Sequence, residues 1–483
     1  MDNLKRELKT TPAEQHNMRC GILHGAFFRM ATAFGDPYAI IPLFLAGFTG
    51  SRLLIGLIVS LVEAVGILPQ LAVARTLQRR PNIAKPLMLT GIWTRCAVWG
   101  LIAATALLLP QGSLWIPFLF VGLIIIYSLG GGLAVLPFQK VISETIPPKH
   151  RSSFFGGRLA SGGLLAVLAG FVVKQVLGNE SLAWPRNYGI LFLCSFAALI
   201  LAYTAMSRVQ FLKTEDPVPR SVPPFRKEIQ RMLRDYPVLK RLIAVHIFSG
   251  GLVLVLPFLT LYATRDLGLP LKWVGFFIVA QTTGAILSNL AWIPLGNRIG
   301  TRSVISSGLG MAALGLSLIL IAKNGPALLP AFLLCGGAAS ALIVGFKGYI
   351  LELGTPENRP LLFALESTLL MPLRFMPLLG GLLADLFGTR PLIYIGIALL
   401  LGGLISVHRL CEPRTGDPVC GPSKLRNGFS HKERKKVARN LRARPKAWKI
   451  LKDLEDPKQE YVKPRLTNRV EATLEEENQY SNT

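Results

Sequence analysis

Residues Phe138–Arg158, FQKVISETIPPKHRSSFFGGR, and residues Phe346–Glu366, FKGYILELGTPENRPLLFALE, align without a gap. Phe138 falls on Phe346, Ile142 on Ile350, Glu144 on Glu352, Pro148 on Pro356, Arg151 on Arg359 and Phe155 on Phe363. In each copy a Gly-rich apolar segment leads in, and a second apolar segment leads out to Gly178 or Gly388. A repeat this long is no solenoid period; it describes two similar halves.

Composition says where those halves reside. Of 483 residues, 51% are hydrophobic and 17% charged, and the mean hydropathy is +0.45. A soluble domain carries about 25% charged residues, so this chain lacks the groups to cover a water-facing surface. Its apolar runs reach the ~20 residues that cross ~30 Å of hydrocarbon. Twelve such spans can be drawn. Those of the first half run near 26–46, 52–73, 86–109, 114–138, 158–177 and 187–206, and those of the second near 241–262, 271–295, 302–322, 327–349, 361–386 and 391–407. The expected fold is therefore an all-α integral membrane protein, two pseudo-symmetric six-helix bundles at 21–206 and 241–410. A polar arm (1–20), a Pro-bearing linker (207–240) and a basic tail (411–483) complete the chain.

The net charge of +26 is distributed by topology. Lys5, Arg6, Lys9 and Arg19 occupy the arm, Arg75, Arg79, Arg80 and Lys85 the second connection, and Lys213, Arg220, Arg226, Lys227, Arg231 and Arg234 the linker. The alternate connections hold only Arg52, Lys174, Arg186, Arg265, Lys272, Lys323 and Arg390. The positive-inside rule then puts both termini in the cytoplasm, as an even span count also requires, and the protein in the cytoplasmic (inner) membrane. The arm has no cleavable signal pattern. Six scattered cysteines offer neither a disulfide framework nor a zinc site, and no cofactor or metal is expected. In the tail, Ser430 and Glu433 form a capping-box pattern, opening a basic helix suited either to the inner leaflet or to solvent.

Between the eighth and ninth spans stands PLGNRIGTR, with Asn297, Arg298, Gly300 and Arg302. This resembles the G-x-x-x-D-R-x-G-R-R loop of the major facilitator superfamily, with Asn297 at the acidic position. The first-half site, VARTLQRRPNIAKP, keeps Arg79 but lacks the acid and the glycine. Gly56 and Gly275 fit the same duplication. LPQLAVARTLQRRPNIAKP and PPKHRSSFFGGR are similar to motifs of a bacterial branch of that family. The resemblance covers about Gly21 to Leu410 and implies alternating access, with two bundles rocking around a cavity lined mainly by spans one, four, seven and ten.

Ionisable groups at membrane depth are costly, ~2.5–3.5 kcal/mol each on insertion scales, so each needs a partner or a task. Asp36, before Pro37 in the first span, either faces the cavity as a proton site or closes a helix-breaking turn. Glu63 in the second span and Arg374 in the eleventh suit an ion pair between halves. The alternative is a partner within each half, Arg95 for Glu63 and Glu366 for Arg374. Lys347, with Gln139 and Lys140 as counterparts, Arg29, His246 and Gln281 complete the candidate lining. The repeated pairs Glu144 with Arg151 and Glu352 with Arg359 suit an intracellular gate, or else helix ends and topology alone.

No GxxxxGK[ST] loop and no nucleophile–base set is present, which disfavours an ATP-driven pump and an enzyme. The expected function is secondary active transport of a small solute, coupled to protons through Asp36, Glu63 or Glu366, with lipids as partners and no nucleic acid. The alternative is a transport-inactive membrane scaffold whose basic tail binds a partner protein or anionic lipid.

Overall fold

The first helix starts where local chemistry dictates. Thr11 caps α1 (Pro12–Phe34): its hydroxyl accepts from the Glu14 N–H at 3.2 Å, while the Glu14 carboxylate accepts from the Thr11 N–H at 2.9 Å. That reciprocal box, with Pro12 in the first turn, satisfies donors that a helix start leaves open. Ser51 likewise caps α3 (Arg52–Ala64) through Leu54 N–H. The structure is a computed structural model describing residues 11–413, apart from 111–112, 114, 148–149, 211–232, 235 and 354–358. The arm's first residues, most of the linker, the basic tail and the Arg359 side chain therefore lie outside the described residues. The described residues all belong to one compact unit.

The regular structure described is helical throughout. α2 (Ile40–Ala46) follows α1, and α4 (Leu68–Arg79) follows α3 across a 3-10 turn at Val65–Ile67. Then come α5 (Ala84–Leu108), α6 (Trp115–Thr145), α7 (Arg151–Leu177) and α8 (Arg186–Ser207). The second half has α9 (Pro237–Leu261), closed by a π-turn at Tyr262–Asp266, then α10 (Lys272–Ile299), α11 (Thr301–Ile321) and α12 (Gly325–Leu353). It ends with α13 (Arg359–Leu369), a 3-10 segment at Met371–Phe375, α14 (Met376–Phe387) and α15 (Thr389–Val407).

Ten of the described helical segments are long and apolar enough to cross a membrane. The first and eleventh expected spans are instead interrupted, as α1–α2 and α13–α14. Gly35-Asp36-Pro37 breaks the first: Pro37 has no N–H, and the Asp36 carboxylate supplies an acceptor for the turn's own amides. Pro372 lies within the second break and Pro377 in the first turn of the helix after it. The second span is also longer than its hydropathy suggests, because α4 carries Arg75 and Arg79 as helix rather than loop. Cys20, Cys96, Cys194 and Cys335 are free thiols. Cys411 is disulfide-bonded, a single exception to the absence of pairing that the spacing suggests.

The duplication is visible in packing. In the first half α1 packs on α7 and α8, and α5 on α6 and α8. In the second half α9 packs on α14 and α15, and α11 on α12 and α15, which are the same relations moved six spans on. Two interfaces join the halves, α3 against α14 and α7 against α10. Exchanging the halves converts one interface into the other. In lipid, such contacts depend on close approach rather than on hydrophobic burial, and small residues provide it. A Cβ on Gly56 would lie 2.1 Å from the Pro377 carbonyl oxygen, and one on Gly275 would lie 2.4 Å from that of Gly170.

Candidate functional site: a cavity between the halves and its closures

A cavity of about 440 Å³ lies between the halves, within the usual range for small-molecule sites. Span one lines it with Arg29, Thr32 and Asp36, and span eight with Gln281, Thr282 and Asn289. Span five contributes Phe155 and Leu159, and span ten Ser340 and Val344. This corrects the expected lining: spans one and ten take part, but five and eight stand where four and seven were expected. Gln139 and Lys347 accordingly lie outside the cavity lining, with exposed side chains. The reason is packing. Span five approaches span one so closely that a Cβ on Gly162 would sit 2.9 Å from Cγ of Arg29, and this brings the α7 face into the interior.

Asp36 closes the turn and stands in the cavity wall. Its Oδ1 accepts from the N–H groups of Tyr38 and Ala39, each at 2.8 Å. Thr32, Thr282, Asn289 and Ser340 were not singled out by sequence. Uncharged polar residues in a span carry little signal, and only the Ser340 hydroxyl on Asn289 Oδ1 (3.0 Å) reveals a built polar wall.

Glu63 and Arg374 meet across the halves. Arg374 Nη1 donates to Glu63 Oε2 at 3.0 Å and to the Glu63 carbonyl at 3.1 Å. Both residues sit at 3-10 interruptions, Glu63 just before Val65–Ile67 and Arg374 within Met371–Phe375. Tyr38 interacts with the same Glu63 carboxylate. Neither within-half partner is used. Arg95 donates to the Tyr127 hydroxyl and lies over the Tyr127 and Phe28 rings, 4.2 and 5.5 Å from their centroids. Glu366, 8% exposed, has Oε1 3.3 Å from His246 Nδ1. The His246 ring is stacked on Phe346 at 3.8 Å and 4°, so its nitrogen is out of hydrogen-bond alignment with that carboxylate.

Beyond this pair, at the end of the bundle away from the chain termini (the distal end), a carboxylate unremarked in the sequence binds the halves. Asp385, at the end of span eleven, accepts from Ser51 Oγ at 2.8 Å and from the N–H groups of Arg52 (2.8 Å) and Leu53 (2.9 Å). It thus caps the N-terminus of span two from the opposite half, where the helix dipole favours negative charge. Arg52 reaches Asp266 at 2.9 Å, and Arg265 donates to the Ala46 carbonyl. Leu378 N–H donates to Ser60 Oγ at 3.0 Å. The hydrogen bonds crossing the halves among the described residues thus gather from the distal end to the level of Glu63. The cavity extends the other way, toward the Phe155 end of α7 and the Val344 end of α12.

At the terminal end the repeated charges do other work. Glu144 pairs with Lys140 one turn away. Arg151 donates to the carbonyls of Ser143 (3.0 Å) and Ile146 (3.3 Å), closing the end of α6. Of the two readings of Glu144 and Arg151, the gate or the helix ends, the contacts made here are those of a helix end, because the loop turns Arg151 back onto open carbonyls. Glu352 accepts from Thr301 Oγ1 at 2.9 Å. Asn297 and Arg298 lie in the last turn of α10; after it Gly300 adopts φ +106°, and Glu412 Oε2 accepts from the Arg302 N–H at 3.1 Å. A Cβ on Gly300 would lie 2.2 Å from that carboxyl carbon.

A cavity with a partly polar wall between two pseudo-symmetric halves of a multi-pass membrane protein, closed at one end by contacts between those halves, is the arrangement of a membrane solute transporter. The sequence matches the model of the Major Facilitator Superfamily over residues 22–280 and 241–454, and the chain belongs to that family. No curated protein matches it by sequence. Among solved structures it is similar to the nucleoside transporter NupG, at 13% identity and TM-score 0.62 over 82% of this chain and 100% of that one. It is similar also to the human organic anion transporter MFSD10, at 15% identity and TM-score 0.58 over 82% and 100%. A bacterial homologue of the iron transporter ferroportin in an inward-facing state aligns at 17% identity and TM-score 0.55 over 82% and 98%. At these identities the likeness is one of fold.

Proposed function

We propose that the protein is a secondary active transporter that moves a small solute by alternating access, coupled to protons and seated in the cytoplasmic membrane with both termini inside. The arrangement of the cross-half hydrogen bonds among the described residues carries this reading. The halves are tied at the distal end through Asp385 and Asp266 and, deeper in the bundle, through Glu63, while the cavity runs toward the terminal end. On this reading the conformation is closed to the outside and faces the cytoplasm. Rocking breaks the Asp385 cap and the Glu63–Arg374 pair together, and Asp36, Glu63 and Glu366 are the candidate proton sites. Arg374 sits on a 3-10 turn and Glu63 just before one, and such turns recur at functional hinges within helices.

The test is two-sided accessibility. A cysteine at Thr282, in an otherwise cysteine-free chain, is labelled with membrane-impermeant maleimide in right-side-out and inverted vesicles. Labelling from both faces, with outside labelling raised by Asp385→Ala, is expected. Labelling from one face alone, unchanged by Asp385→Ala, would refute alternating access.

A further inference from the structure

The cavity lining includes one cationic and one anionic side chain among the described residues, Arg29 and Asp36, and both come from span one. Arg29 stands in α1 and Asp36 in the turn that follows it, and the helical stretch from Arg29 to Phe34 alone rises ~8 Å. Arg29 has no carboxylate within ion-pair distance among the described residues, and its stem rests on Gly162. Behind it stands Arg158, already engaged by the Gly21 carbonyl and by His24 Nδ1 at 3.1 Å, so that end of the cavity is positive. Both amide bonds to Asp36 end on Oδ1, which leaves Oδ2 without a hydrogen bond among the described residues.

A singly charged solute would satisfy one of these groups and leave the other exposed to a low-dielectric wall. A solute that is neutral overall but charged at both ends would satisfy both. We propose that the cavity takes a small zwitterion, with its carboxylate on Arg29 and its ammonium on Asp36. This assignment rests on the transporter reading and narrows it. The spacing adds a length requirement: an α-amino acid carries both charges on one carbon and is too short to reach both residues. An unbranched ω-amino acid of intermediate length, or a dipeptide, reaches them. Gln281 and Thr282, across the cavity on span eight, offer hydrogen bonds to the middle of such a molecule.

The experiment uses the full chain in detergent, with thermal unfolding followed against glycine through 8-aminooctanoate, dialanine, hexanoate and hexylamine. The melting temperature is expected to peak at an intermediate amino acid or with dialanine, rising by roughly several degrees at saturating ligand. Hexanoate and hexylamine, each with one charge, are expected to give no shift. Arg29→Gln and Asp36→Asn should each remove the shift. Asparagine caps as well as aspartate, so Asp36→Asn should keep the unliganded melting temperature. No shift across the series, or an equal shift with hexanoate, overturns the zwitterion assignment. The Thr282 cysteine labelling, run on the same preparation, separates the two failures. Two-sided labelling without amino-acid binding removes the substrate class alone, and one-sided labelling removes the transporter reading as well.

Discussion

Arg374 serves Glu63 twice, through its carboxylate and its carbonyl. With the two side chains 39% and 32% exposed, the pair contributes less than the ~3–5 kcal/mol lost on breaking a buried one. Glu63→Gln and Arg374→Gln are each expected to lower the melting temperature by roughly a few degrees. The double variant should cost less than the sum of the singles, whereas additive losses would show that the two residues do not couple. Gly56 makes a stricter demand. Its missing Cβ is 2.1 Å from the Pro377 oxygen, so Gly56→Leu must separate spans two and eleven. The expected result is a melting temperature well below that of the wild type, with greater outside labelling of the Thr282 cysteine. At this scale the sequence was partly legible. The duplicated positions Gly56 and Gly275 proved to lie one at each interface between the halves. Glu63 and Arg374 stood out because charge within a span is costly. Asp385 did not, since a carboxylate beside a span end ordinarily reads as a surface group, and only the fold brings the start of span two to it.

At the scale of elements, helix ends decide more than helix middles. Asp385→Ala leaves the first amides of α3 without their acceptor, a loss of about 1–2 kcal/mol by analogy with N-caps. Asp385→Asn keeps an acceptor, so it should retain most of the closure in the labelling assay. At the other end of the bundle, Glu412 occupies the space beside Gly300 and holds the first turn of α11. The acid missing at Asn297 is thus matched by a carboxylate arriving from beyond span twelve. Gly300→Ala introduces a Cβ where φ is +106° and Glu412 already sits. It should lower the melting temperature more than Glu412→Gln does, and a harmless Gly300→Ala would contradict this packing. The loop motif was visible in the sequence. The source of its acid was not, because nothing local links positions so far apart in the chain.

At the scale of the molecule, the repeat at Phe138 and Phe346 was enough to foresee two halves, and the packing relations recur six spans on. The lining of the cavity was not foreseeable in the same way. Which spans face the interior depends on how the halves are tilted, and hydropathy is the same for a wall of span four or of span five. The sidedness of the basic residues predicts that reporters fused at Met1 and at Thr483 both lie in the cytoplasm, with reporters on opposite faces as the contrary outcome. One last consequence concerns mutability. Asp385 is received largely by peptide N–H groups of Arg52 and Leu53, which every residue except proline possesses. A random search for variants stuck open to the outside should therefore recover changes at position 385, prolines at 52 or 53 and, through the lost Asp266 pair, uncharged residues at 52, while other replacements at 53 pass unnoticed.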